Sequence, residues 1–160
     1  MRATQRRVAT RAGHTPSPSA GQLDFGPLPK LTGYVVRQAQ LAVFDDFIRT
    51  FAPIGLRPAQ FSALMLIYRN PGRKQSEIAA ALGIKQANFV ALMDDLDQRH
   101  LTRRVRSAAD RRSHALTLTT KGKVLLQKAL GVLEMHEQRF VSRLGSSDHA
   151  RLLELLVKLK

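Results

Sequence analysis

Between Lys74 and Thr120 the chain runs short helix, turn, second helix, then two short strands around an arginine-rich tip. That tip reads Arg103-Arg104-Val105-Arg106-Ser107-Ala108-Ala109-Asp110-Arg111-Arg112-Ser113-His114. Few architectures use this order. A helix-turn-helix fits a major groove, and a basic β-hairpin beside it reaches the minor groove. The segment therefore predicts a mainly α fold with a small β-wing, a winged helix-turn-helix, and duplex DNA as the surface it meets.

Periodicity places the elements. Helix three is expected over about Gln75 to Leu82, with Ile78, Ala79 and Leu82 inward and Gly83 as its stop. Helix four is expected over about Gln86 to Arg99. Phe89, Leu92, Met93 and Leu96 fall at i, i+3, i+4 and i+7 and so mark its buried face. Ala87, Asn88, Ala91, Asp95 and Gln98 mark the face left for a groove. After His100 the period changes to two: Leu116 and Leu118 alternate with Thr117 and Thr119, and Asp110 marks the turn between two strands.

Long apolar helices flank this centre. The first follows Leu28-Pro29, with Leu31, Tyr34, Val35, Gln38, Leu41, Ala42, Asp45 and Ile48 at helical spacing and Phe44, Phe47 and Phe51 widening the stripe. It ends at Pro53-Ile54-Gly55. A second helix starts at Pro58, where proline suits the first turn, and runs through Phe61, Leu64, Met65 and Tyr68 to Asn70-Pro71-Gly72. Thr120 precedes another long helix carrying Leu126, Leu130, Leu133, His136 and Phe140. Gly145-Ser146-Ser147 breaks it, with a serine available as N-cap, and a leucine-rich helix from Leu152 to Leu159 closes the chain. The expected domains are a basic, low-hydrophobicity arm over 1–27, an N-terminal dimerisation helix over 28–55, the winged helix-turn-helix over 56–120, and C-terminal dimerisation helices over 121–160. The terminal helices are too apolar to stand alone, which makes a homodimer the economical arrangement.

The bulk figures fit. A chain of 160 residues and formal charge +14 implies a polyanionic partner, nucleic acid or an anionic membrane surface. No stretch reaches the roughly 18 consecutive apolar residues of a spanning helix, so a membrane partner is not expected. Without cysteine there is no disulfide framework, thiol nucleophile or thiolate-bound zinc, which suits a cytoplasmic protein. The five histidines, His14, His100, His114, His136 and His149, show no metal-ligand spacing. No nucleophile motif or glycine-rich phosphate loop is present, so neither catalysis, metal nor cofactor is expected.

The residues from about 30 to 160 resemble the MarR family of ligand-responsive transcription regulators. Gly55-Leu56-Arg57-Pro58-Ala59-Gln60-Phe61, Gln75-Ser76-Glu77-Ile78-Ala79, Leu82-Gly83-Ile84, Leu92-Met93-Asp94-Asp95-Leu96 and Leu101-Thr102-Arg103-Arg104 carry the likeness. The most specific parts are Asp110-Arg111-Arg112 and Leu116-Thr117-Leu118-Thr119-Thr120-Lys121-Gly122. The resemblance implies a triangular homodimer on a palindromic operator, with Arg112 as the wing-tip arginine in the minor groove and Asp110 fixing its hairpin. A guanidinium suits a narrow groove of enhanced negative potential.

His100 stands where the family has a glycine, so the backbone there must avoid positive φ or bear strain. The recognition helix departs too: Ala87, Asn88 and Ala91 replace the usual hydroxyl and arginine contacts, and Asp94, Asp95 and Asp97 would be repelled by phosphate. Lys85, Gln86 and Asn88 suit DNA, Asn88 by reading an adenine edge, while Ala87 and Ala91 can meet thymine methyls. Arg73, Lys74, Arg103, Arg104 and Lys121 are candidate phosphate contacts, and Ser76 can present its hydroxyl to a phosphate or serve as a cap.

A small-molecule effector is also implied. Tyr34, Arg37, Gln38, Phe44, Phe47, Phe61, Met65 and Tyr68 are the candidates for its pocket, set against plain core packing of the aromatics. The segment Leu31-Thr32-Gly33-Tyr34-Val35-Val36-Arg37-Gln38-Ala39-Gln40 resembles repressors of hydroxycinnamate catabolism that respond to p-coumaroyl-CoA or feruloyl-CoA. The expected effector is an aromatic acyl-CoA thioester, with a free aromatic acid as its alternative. The rival to regulation is a ligand-independent architectural DNA-binding protein.

Overall fold

The computed structural model describes residues 23–106 and 114–159. Within them run α1 (Thr32–Phe51), α2 (Pro58–Arg69), α3 (Gln75–Ala81), α4 (Gln86–Gln98), β1 (Thr102–Arg106), β2 (His114–Leu118), α5 (Thr120–Leu144) and α6 (Ser146–Val157). Short 3-10 turns occupy Leu28–Lys30 and Ala52–Ile54. The chain divides into two units, Met1–Ala39 and Gln40–Lys160.

In the first unit, Pro29 sits inside the opening 3-10 turn, where its missing N–H costs nothing. Phe25 and Tyr34 bring their rings to 6.4 Å. Leu28, Leu31 and Val35 stay exposed.

The second unit gathers its core where the periodicity puts the apolar stripes. Phe61, Leu64 and Ile67 from α2 join Phe89, Met93 and Leu96 from α4, with Leu101, Leu116 and Leu126 around them. Phe51 is fully buried, stacked on Phe47 at 3.7 Å between ring centroids and edge-on to Phe61 at 5.6 Å. Each such side chain contributes about 1.5–3 kcal/mol by leaving water. The wing is antiparallel, pairing Thr102 with Leu118 and Arg104 with Leu116. A third segment ties it to the helices: the Gly72 N–H donates to the Leu116 carbonyl at 3.1 Å, and the Leu116 N–H donates to that of Arg73 at 3.0 Å.

Two helix starts differ from expectation, each for its own reason. Thr119, not Thr120, caps α5, its hydroxyl accepting the Gly122 N–H at 3.0 Å. No serine caps α6. Gly145, at φ 80°, donates its N–H to Val141 of α5 and accepts the N–H of His149 in α6, so one residue serves as both stop and start. Ser146 is already helical.

His100 takes the strained option, with φ 58°. The Leu101 N–H donates to the Leu96 carbonyl at 2.9 Å and closes α4 over it.

His136 is buried on α5 and answered from α1. Its Nδ1 lies 2.7 Å from Asp46 Oδ2, and Arg139 Nε donates to the same oxygen at 3.2 Å. The Arg139 guanidinium also reaches the Thr50 hydroxyl. Burial raises the Asp46 carboxyl, but the His136 hydrogen bond and the charges of Arg139, His136 and Arg49 outweigh it, leaving it below its ordinary value. A carboxylate so depressed stabilises the fold above its unfolded pKa, and that stability is lost as pH falls through the folded one. Asp46→Asn is therefore expected to lower the urea midpoint at pH 7, with the gap from the native protein closing as the pH drops below about 4. A gap that persists undiminished at pH 3 would show that the Asp46 charge is not its source.

Candidate nucleic-acid interface

The second helix of the helix-turn-helix presents two unlike faces. Phe89, Met93 and Leu96 are buried and Leu92 is half-buried. Lys85, Gln86, Ala87, Asn88 and Ala91 are all exposed, at or near the N-terminal half of the helix. An amide two residues from a helix start, flanked by small side chains, can approach a base edge without its neighbours meeting the groove wall.

The acids of α4 are not bare. Arg104, on β1, lies 2.5 Å from Asp94 and 3.3 Å from Asp97. The Thr102 hydroxyl also donates to Asp97. Asp95 accepts from Gln60 Nε2 at 2.7 Å and pairs with Arg99 at 3.6 Å. Sequence reasoning missed these partners. The faint signal was Asp94 and Asp97, one turn apart on a helix that precedes a strand rich in arginine. The acids thereby lose much of their repulsion toward phosphate, and Arg104 is engaged within the domain. Lys121 likewise donates to the Arg99 carbonyl at 2.9 Å.

Arg73, Lys74 and Ser76 are exposed around the start of α3. Lys74 occupies the N-cap, so Ser76 lies inside the helix instead of capping it. Glu77 accepts the Lys74 N–H at 2.7 Å and pairs with Arg73 at 3.2 Å. That backbone hydrogen bond, with the Arg73 and Lys74 charges, holds its carboxyl below its ordinary value. Arg103 is exposed on β1, its Nε donating to the Thr117 hydroxyl at 3.3 Å. Asp110, Arg111 and Arg112 lie outside the described residues, as does the arm up to residue 22.

The expected ligand residues fall into three groups. Tyr34, half-buried, and Arg37 and Gln38, both exposed, belong to the first unit. Phe47 and Phe61 lie in the core of the second, with Met65 packed partly against it. Phe44 and Tyr68 are exposed. Among the described residues no group of histidine and acidic side chains is placed to hold a metal ion, and no helix is long and apolar enough to cross a membrane.

Comparison with known proteins agrees with this layout. Residues 54–113 match the MarR family. The chain is 30% identical over 139 residues to a protein of Thauera aromatica described as a transcriptional regulatory protein for the hcr operon, covering 86% of this chain and 84% of that one. The structure of the transcriptional repressor CouR bound to a 23-mer DNA duplex superposes with a TM-score of 0.83 at 46% identity, over 87% of this chain and 99% of that chain. CouR bound to p-coumaroyl-CoA gives 0.81 at 44% identity, over 86% and 97%.

Proposed function

The chain belongs to the MarR family and is a DNA-binding transcriptional repressor of that type, and from this premise we propose that an aromatic acyl-CoA such as p-coumaroyl-CoA releases it from its operator. The observation that carries the DNA-binding part of the reading is the exposed run Lys85-Gln86-Ala87-Asn88 with Ala91, set beside a basic wing, with the acids of the helix paired to Arg104, Gln60 and Arg99. Asn88 and the alanines supply base contact, while Lys85, Arg73, Lys74 and Arg103 set the register through phosphates. Arg112 works in the minor groove, with Arg111 beside it and Asp110 in the role of fixing the hairpin.

The protein acts as a homodimer. Leu152, Leu153, Leu155 and Leu156 are exposed on α6, and Phe44 and Ile48 on α1, an apolar area that a second copy would cover. A two-fold dimer demands a palindromic site whose half-sites lie about 34 Å apart, one helical turn. The acyl-CoA reading draws its support from the likeness to CouR and to the hcr regulator, and from the segment Leu31–Gln40.

Fluorescence anisotropy at fixed salt, with DNA from upstream of the protein's own gene and a scrambled competitor, tests both levels. Specific binding is expected to fall about 100-fold with p-coumaroyl-CoA, a coupling of about 2.7 kcal/mol. Free p-coumarate and CoA alone are expected to leave it unchanged. Specific binding indifferent to the thioester would refute the effector while keeping the repressor. Equal affinity for scrambled DNA would favour an architectural protein.

A further inference from the structure

Arg57 stands at the N-cap of α2 against two local preferences. An N-cap side chain stabilises a helix by accepting a hydrogen bond from its first turn, and a guanidinium cannot accept one. Arg57 makes no such cap, and its own N–H donates to Gln60 Oε1 at 2.9 Å. Its charge also sits at the positive end of the helix dipole, where a negative group is favoured. Arg57 is exposed, and no carboxylate pairs with it among the described residues. The acid beside it is already taken. Asp95 lines the same cleft, accepts from Gln60 Nε2 at 2.7 Å and pairs with Arg99 at 3.6 Å. An unpaired cation set against its own helix points to a partner outside the fold.

Its position says which partner. The reading helix α4 has two flanks. Asp94 and Asp97, one turn apart, meet Arg104 of β1 on the first. Asn88 and Asp95, two turns apart, share the second, where Asp95 meets Gln60 of α2. Arg57 and Ala91 border one cleft on that side, with Ile48 of α1 in its far wall. The wing therefore bounds the reading face on one side and Arg57 bounds it on the other. The Arg57 side looks toward α1, where Phe44 and Ile48 stay exposed for a second copy of the chain.

We propose that Arg57 holds the operator backbone on the flank of α4 opposite the wing, at the phosphates between the two half-sites. This contact rests on the DNA-binding reading and is independent of the effector. Two reading helices in successive major grooves leave a minor groove facing the protein at the centre of the site. The two copies of Arg57, one from each protomer, approach the phosphates that border it from either side. With the wing arginines outside, each reading helix is held between two backbone contacts. Such contacts fix register and add no sequence information. That division of labour suits a helix whose base-reading groups are Asn88 and two alanines.

Arg57→Ser removes the charge and supplies the missing cap, so its effects on stability and on binding should run in opposite directions. The urea midpoint is expected to hold or rise. Operator affinity, followed by fluorescence anisotropy without effector, is expected to fall about tenfold or more at low salt. The slope of log K against log salt should flatten by about 2, one for each protomer. The ratio of operator to scrambled affinity should stay near native, because a phosphate contact is blind to sequence. Arg57→Lys keeps the charge and is expected to keep the slope. A native slope in Arg57→Ser overturns the contact and leaves the repressor reading intact. A urea midpoint that falls along with the affinity also overturns it, by making Arg57 a residue of the fold. A native protein that binds operator and scrambled DNA alike counts against the repressor reading instead.

Discussion

Gly122→Ala is expected to destabilise the protein by about 3 kcal/mol or more, seen as a fall in the urea midpoint followed by circular dichroism. A Cβ at this position would lie 2.0 Å from the Leu101 carbonyl oxygen and 3.0 Å from its carbon. Neither atom can yield easily. The Leu101 oxygen accepts the Thr119 N–H at 3.1 Å, the Leu101 N–H is held by Leu96, and the Thr119 hydroxyl donates to the His100 carbonyl at 2.7 Å. Three elements meet there, α4, β1 and α5, and one extra methyl must move at least one of them. The control lies on the same helix: nothing stands within 4 Å of a Cβ at Gly131. Gly131→Ala is expected to be neutral or to stabilise by up to about 1 kcal/mol, because alanine loses less entropy in a helix. Equal behaviour of the two variants would contradict the close approach. The junction also sets the wing against the reading helix, so the Gly122 variant should lose operator binding before it unfolds.

That junction shows what the sequence could and could not tell. The run from Leu116 to Gly122 stood out as a motif, and its period gave the strand. Its chemistry became visible only in three dimensions: Leu116 and Leu118 are buried, Thr119 caps α5, and Gly122 clears the Leu101 backbone. Local patterns gave the faces of α4 well, because 3.6-residue spacing separates Phe89, Met93 and Leu96 from Asn88 and Ala91 whatever the neighbours are. They did not separate core from pocket. Phe47 and Phe61 have the same spacing in either role, and only the ring stack on Phe51 decides where they lie. The serine expected to cap α6 failed for a comparable reason, since a glycine with positive φ can end one helix and begin the next without it. Charge pairing between distant segments was least legible. Nothing in the sequence announces that Asp46 on α1 answers His136 on α5.

Arg104→Glu is expected to weaken operator binding about 100-fold, near 2.7 kcal/mol, although Arg104 is engaged with α4 rather than free to meet DNA. In the native protein its guanidinium holds Asp94 and Asp97, and the side chains are only partly exposed. Each such pair is worth about 1 kcal/mol or less on its own. Reversal does more than remove two attractions, because it sets a third negative charge, on β1, against the two on the helix that must approach a polyanion. Salt titration tells this apart from a lost phosphate contact. A residue that displaced counterions would lower the slope of log K against log salt by about 1 when replaced by alanine. Arg104→Ala should instead leave the slope of a phosphate contact in place while lowering the affinity at every salt concentration. Adding Asp94→Asn and Asp97→Asn to Arg104→Ala should return most of that affinity, since the neutral amides need no guanidinium. No such recovery, together with a slope reduced by about 1, would assign Arg104 to the phosphate backbone.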